Sequence, residues 1–210
     1  MRVDRAYMRA GRVGICAKCR GEVSETSPSL PYAGTDSISY IMSPFEYTGA
    51  LRQAILDFKF KGCTAYAPLL AEMMREYLNS YDIWEDFDYI IPVPLHEGRL
   101  RERGYNQSEL LAAHIAEYLG IPMLTDLIRR SRATKRQSTL KRIDRILNVK
   151  GAFRCDSDLS GARILIFDDI CTTGNTLEAC ASAAKAAGTE NICALTLAIH
   201  TSEILPVITY

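Results

Sequence analysis

The chain has 210 residues, 48% of them hydrophobic and 24% charged, with 25 basic and 25 acidic side chains. That length and apolar content allow a full core without disulfide or metal staples, and with zero net charge they exclude an intrinsically disordered chain. No run of about 18 apolar residues occurs, so no membrane insertion is expected. The charged start Met1–Cys19 also lacks the apolar run of a signal peptide, so the expected compartment is the cytoplasm.

In chain order, residues 1–37 read as an irregular N-terminal segment, rich in Gly and Pro, with a loop-like run at Ser24–Pro31. Cys16-Ala-Lys-Cys19 within it is half of a zinc ribbon. Structural zinc needs four ligands, and neither a second pair nor a His lies nearby. The segment therefore reads as a short, degenerate zinc-ribbon-like piece. It is a zinc site only if the missing ligands come from a second chain or from residues beyond this start. Seven cysteines in a chain without an export signal do not suggest a disulfide framework. Cys180 and Cys193 fall in apolar segments and are expected in the core.

Residues 38–210 read as one packed domain. Apolar spacing predicts helices over Gly49–Phe60 and over Tyr66–Leu78, with Pro68 in the first turn of the second. Tyr89–Val93 is a short strand. Asn106 begins a helix as N-cap, and Gly120 closes it. His114 lies on the apolar face of that helix and is expected as a hydrogen-bonded core residue. Ile164–Phe167 is a continuous apolar run of the kind found in buried parallel strands. An Ala-rich helix over Gly174–Ala187 and a strand over Asn191–Ile199 follow. This alternation predicts an α/β fold with a doubly wound, mostly parallel sheet. Ligands bind such sheets at the carboxyl ends of strands, which selects three places: after Val93, after Phe167 and after Ile199.

After Phe167 the sequence reads Asp168-Asp169-Ile170-Cys171-Thr172-Thr173-Gly174-Asn175-Thr176. Backbone N–H groups at a helix start, with the hydroxyls of Thr172, Thr173 and Thr176, make a phosphate cradle. Gly174 lets the backbone approach an anion closely. Two carboxylates beside such a cradle suit ribose hydroxyls or Mg²⁺. A receiver domain would carry its acid pair near the N-terminus, so this placement fits it poorly.

This segment resembles the phosphoribosyl-diphosphate (PRPP) signature of type I phosphoribosyltransferases. The likeness extends to Tyr47-x-Gly49…Lys59-Phe-Lys-Gly62, to Ile91-Pro-Val-Pro-Leu95…Arg99…Arg103-Gly-Tyr-Asn-Gln107, and to Gln137…Leu140…Arg145…Asn148…Gly151-Ala-Phe153. Together these segments resemble the ComF/GntX branch of that family over roughly residues 38 to 198. The branch carries further Cys-x-x-Cys pairs near Cys16 and Cys19, which are absent here.

The resemblance implies that Asp168 and Asp169 hold the ribose hydroxyls and act in catalysis, while Thr172, Thr173, Gly174, Asn175 and Thr176 wrap the 5′-phosphate. It implies a diphosphate loop at Pro94, Leu95 and His96, with Arg99 and Arg103 as guanidinium ligands. Mg²⁺ is implied with PRPP. Zinc is a possible but unexpected second cofactor, at Cys16 and Cys19.

Nine basic residues and one acid lie between Arg129 and Lys150, a local charge of +8 against −8 in the rest of the chain. By resemblance this stretch is the flexible catalytic loop, with Arg136, Gln137, Arg142 and Arg145 in it. A solvated basic loop and a nucleic-acid contact are the other readings. Two functions follow. One is a transferase displacing diphosphate from PRPP by an acceptor that the sequence does not name. The other, implied by the ComF likeness, is a non-catalytic PRPP-binding accessory protein that handles single-stranded DNA during uptake, with a competence helicase as partner. A homodimer fits either function, and a purely regulatory nucleotide sensor is a weaker third.

Overall fold

The computed structural model describes residues 15–26, 32–79, 86–131 and 151–201. Arg136, Gln137, Arg142 and Arg145 of the basic stretch lie outside them. The elements run α1 (Ala17–Gly21), β1 (Tyr32–Ala33), β2 (Tyr40–Met42), β3 (Phe45–Glu46), α2 (Gly49–Phe60) and α3 (Tyr66–Leu78). Then come β4 (Tyr89–Pro92), α4 (Glu97–Arg103), α5 (Gln107–Leu119), β5 (Ile128–Arg130), β6 (Phe153–Cys155), β7 (Arg163–Cys171), α6 (Asn175–Ala186) and β8 (Asn191–Ile199). No helix among the described residues is long and apolar enough to cross a membrane.

The aliphatic strands β7 and β8 form the centre of the sheet, whose order is β1-β2-β8-β7-β4. β3 continues the β2 edge: β2 meets β8 at Ala194 and Leu195, and β3 meets it at Ala198 and Ile199. All these pairs are parallel except β1–β2. β5 and β6 form a separate antiparallel pair.

Alternation along β7 divides the core in two. Leu165 and Phe167 pack with Phe58, Met74 and Ile115 from α2, α3 and α5. Ile164 and Ile166 pack with Leu177, Cys180 and Ala184 from α6. A sheet buried on both faces by helices is the doubly wound, mostly parallel architecture that the strand–helix alternation predicts. Truncating a fully buried side chain such as Phe167 costs about 3–5 kcal/mol in such a core. Cys180 and Cys193 are buried, as predicted.

The bounds of α2, α3 and β8 coincide with those predicted. β7 does not stop at Phe167. It runs through both aspartates to Cys171, because β8 continues alongside and supplies ladder partners for Asp168, Ile170 and Cys171. α6 starts one residue inside its predicted bounds, with Gly174 as its N-cap. His114 corrects another expectation. It is exposed, while Leu111, Ala112 and Ile115 fill the core, because the buried stripe of α5 is narrower than its apolar composition suggested.

The described part of the N-terminal segment is attached to this domain at several points. Tyr32 packs in the α6-side core, and Ile15 packs in the other. Glu46 N–H donates to the Ser24 carbonyl at 2.8 Å. Gly49, at φ +51°, lies so close to the Glu22 carbonyl that a Cβ would sit 2.3 Å from it. Only glycine lets the two backbones pass there.

Candidate functional site

A cleft of about 720 Å³ opens at the carboxyl edge of the sheet, over the ends of β4, β7 and β8. Asp168 and Asp169 lie in it, buried at 9% and 2% exposure. They sit where the side-chain alternation of β7 slips. Phe167 faces the α2/α3/α5 core, yet Ile170, an odd number of residues later, packs on the same core, and Cys171 packs on the other. Asp169 is also the one residue between Asp168 and Ile170 that the β7–β8 register skips.

Each carboxylate has its own support. Asp168 Oδ1 accepts from Ser108 Oγ at 2.7 Å and from Asp169 N–H at 2.9 Å. Asp169 Oδ2 lies 2.8 Å from Lys59 Nζ, an ion pair whose side chains are 3% and 18% exposed. The contact is a charge contact rather than an aligned hydrogen bond, since Oδ2 has no hydrogen-bond partner. Burial, and next the neighbouring Asp169 carboxylate, push the Asp168 carboxyl up to about 7, against the opposing pull of Lys59 and Ser108.

The loop after β7 turns at Gly174, whose φ of +74° suits glycine, and α6 follows at once. Thr172 and Thr176 line the cleft. Thr173 Oγ1 is buried with no hydrogen-bond partner among the described residues, an unmet polar group beside a helix start. Gly174 and Asn175 form the N-cap and first residue of α6 behind them. Glu178, one turn on, fixes this helix from outside. It accepts from the hydroxyls of Thr35, Ser37 and Ser182 and from Ser37 N–H at 3.1 Å. Burial pushes its carboxyl up, but the bonds from Thr35, Ser37 and Ser182 outweigh that and hold it below the usual range.

The opposite wall follows β4. Asn106 Nδ2 donates to the Val93 carbonyl at 3.1 Å, and its Oδ1 caps α5 at Ser108 N–H, also 3.1 Å. This fixes the start of α5, and with it Ser108, against the end of β4. Leu95, Arg99 and Arg103 line the cleft. Pro94 and His96 flank Leu95 in the same turn, and His96 Nδ1 accepts from Gly98 N–H at 3.1 Å as the N-cap of α4. The Arg103 guanidinium lies 5.4 Å from the Phe60 ring centre and donates to Gln107. Buried Arg130, from β5, stacks on Phe153 at 5.1 Å and also lines the cleft. Burial, and next the nearby Arg99, pull its guanidinium below the ordinary value.

Lys59 and Ser108 are among the residues that sequence reasoning missed. The segment Lys59–Gly62 carried only a branch likeness, and Ser108 read only as part of a helix start. Nothing local shows that Lys59 meets a carboxylate more than half the chain away. Cys16 and Cys19 are half-buried thiols. No group of three or more His, Cys, Asp or Glu that could hold a metal occurs among the described residues.

Residues 106–210 match the model of the phosphoribosyl transferase domain. The DNA utilization protein YhgH of Salmonella typhimurium is 32% identical over 174 residues, covering 79% of this chain and 75% of that protein. Competence protein F of Haemophilus influenzae is 37% identical over 106 residues, 49% of this chain and 46% of that one. Among solved structures, a purine phosphoribosyltransferase from Pyrococcus horikoshii aligns over 62% of this chain and 67% of its own, at 26% identity and a TM-score of 0.34. With the family model spanning half the chain and a relative matching most of it, this protein belongs to the phosphoribosyl transferase family, as a type I phosphoribosyltransferase-like member of its ComF branch.

Proposed function

We propose that this protein binds PRPP with Mg²⁺ in the cleft and transfers the phosphoribosyl group, diphosphate leaving as an acceptor takes its place. The observation that carries this reading is the pairing of two buried carboxylates with a Thr/Gly loop and a helix start at one strand end. The carboxylates accept from the ribose hydroxyls. The N–H groups at the start of α6, with Thr172, Thr173 and Thr176, take the 5′-phosphate, and the unmet Thr173 hydroxyl fits such a ligand. The Pro94–His96 turn holds the diphosphate, with Arg99 and Arg103 as cations.

In the reaction the bond from ribose C1 to the diphosphate oxygen breaks, and its electron pair leaves with diphosphate. An acceptor lone pair forms the new bond at C1. The positive charge that builds on the ribose is stabilised by the ionised member of the carboxylate pair. Mg²⁺ is ordinarily carried by substrate phosphates and one or two carboxylates, for which Asp168 and Asp169 are the groups in reach, and it supplies charge neutralisation on the leaving group. Lys59 compensates the charge of the Asp169 carboxylate in the free protein.

The test is diphosphate release when PRPP, Mg²⁺ and a panel of bases and amines are added. Acceptor-dependent release is expected, and no release with any acceptor would count against transferase activity. A second reading is favoured by the names of the relatives, a DNA utilization protein and a competence protein, and by the +8 charge between Arg129 and Lys150. It holds that the protein binds PRPP without turnover and engages single-stranded DNA. An affinity for oligo(dT) that falls steeply with salt, together with PRPP binding but no diphosphate release, would favour it.

A further inference from the structure

The strand order gives the cleft two ends. Along the carboxyl edge of the sheet the sequence of strands is β4, β7, β8, with β3 on the far side of β8. Leu95 and Arg99 follow β4, the carboxylates end β7, His200 follows β8 and Tyr47 follows β3, and all of them line the cleft. Tyr47 N–H donates to the Ile199 carbonyl and His200 N–H to the Cys171 carbonyl, at 2.8 and 2.9 Å, so this end is pinned to the sheet. If diphosphate lies over β4 and ribose over β7, a nucleophile that attacks C1 from the side opposite the leaving group arrives over β8 and β3.

Arg52, in the first turn of α2, holds its guanidinium 5.8 Å from the centre of the Tyr47 ring. No carboxylate lies within ion-pair distance of Arg52 among the described residues. Burial raises the Tyr47 phenol above its usual value, so its hydroxyl stays a neutral donor. Leu56 also lines the cleft. Tyr47 can donate and accept, but the Arg52 guanidinium donates only, through a planar fork. A carboxylate, which accepts only and matches that fork, meets it more fully than the mixed edge of a neutral base does. A guanidinium already held in place by an aromatic ring loses little freedom when it binds a carboxylate.

We infer that the β3–β8 end of the cleft is the acceptor pocket and that it takes a planar acceptor bearing a carboxylate, paired with Arg52. This rests on the phosphoribosyl-transfer reading and specifies the class of its second substrate. The arrangement selects by charge, because a neutral ring of the same shape leaves the guanidinium of Arg52 without its partner.

Ring-matched pairs test this. Nicotinate against nicotinamide, and benzoate against benzamide, are titrated by ligand-observed NMR into the full chain, with and without saturating PRPP and Mg²⁺. The charged member of each pair is expected to bind at least about tenfold more tightly, the weight of one charge-assisted contact. Arg52→Gln is expected to erase that preference, while Arg52→Lys restores part of it. Equal affinity within each pair, no measurable binding of any member, or a preference that survives Arg52→Gln overturns the assignment. PRPP binding, measured on the same samples, separates the two claims. If PRPP binds and the pairs are not discriminated, the acceptor assignment falls alone. If PRPP does not bind but the Arg52-dependent preference persists, the phosphoribosyl reading falls and the anion selectivity of this pocket stands.

Discussion

Two short motifs stand out in this sequence, and the structure treats them differently. Around Asp168-Asp169 four other elements converge: α2 brings Lys59, the start of α5 brings Ser108, β5 brings Arg130, and the Gly174 turn brings the start of α6. Around Cys16 and Cys19 no third metal-ligating group gathers among the described residues. Cys16 stands as N-cap of a five-residue helix that contains Cys19, and Cys19 packs at the rim of the core. Both motifs look like sites when read locally. What separates them is whether distant parts of the chain supply compensating charge and hydrogen bonds, which a buried polar group requires.

The largest expected effect comes from breaking that convergence. Lys59→Met leaves the Asp169 carboxylate buried without its cation, which should cost about 3 kcal/mol or more and lower Tm by roughly 10 °C. Adding Asp169→Asn to Lys59→Met should recover part of the loss. A thermal melt in which Lys59→Met is neutral would show that the pair does not hold the site together.

The next effect depends on pH. The Asp168 carboxyl is held above its ordinary value of 3.8, at about 7. Its protonated form therefore favours the folded state fully below about pH 4, and that contribution is lost as pH rises through about 7. Asp168→Asn removes this dependence. Relative to the parent, the variant should gain Tm between pH 5 and pH 8, and parallel curves for the two proteins would refute the buried-acid account.

A smaller effect is expected at Glu178, which ties α6 to Thr35 and Ser37. Glu178→Gln trades a charged acceptor for a neutral one at a partly exposed site, so about 1 kcal/mol should be lost in denaturant unfolding. The smallest effect belongs to the thiols. Cys16→Ser and Cys19→Ser should each shift stability by less than about 1 kcal/mol, and elemental analysis of the parent should give less than one zinc per chain. A full equivalent of zinc that disappears in Cys19→Ser would place the two motifs on an equal footing.

Long periodic segments were legible without the structure. α2, α3 and β8 carry enough turns or alternations for periodicity to locate their ends, and Gly120 marks the close of α5. Short edge strands were not. β1 and β3 have two residues each and exist only because β2 and β8 lie beside them. The end of β7 was misread because two aspartates look like the end of a buried strand, whereas here the strand carries them into the cleft. The carboxylates and the phosphate-type loop were readable because they are contiguous. Lys59, Ser108 and Arg52 were not, since each acts in the cleft only through folding of distant segments, and a lysine or arginine on an amphipathic helix looks like any solvated cation.

The account rests most heavily on Asp168 and Asp169 as ribose-binding groups, and calorimetry tests this directly. PRPP with Mg²⁺ is titrated into the parent, Asp168→Asn and Asp169→Asn proteins, each first shown to be folded by its thermal melt. With the titration run above about pH 7, where the raised Asp168 carboxyl is ionised, hydrogen bonds from ribose hydroxyls to ionised acceptors contribute about 1.5–3 kcal/mol each, so each variant should bind roughly tenfold to a hundredfold more weakly than the parent. Unchanged PRPP affinity in both variants would contradict the account.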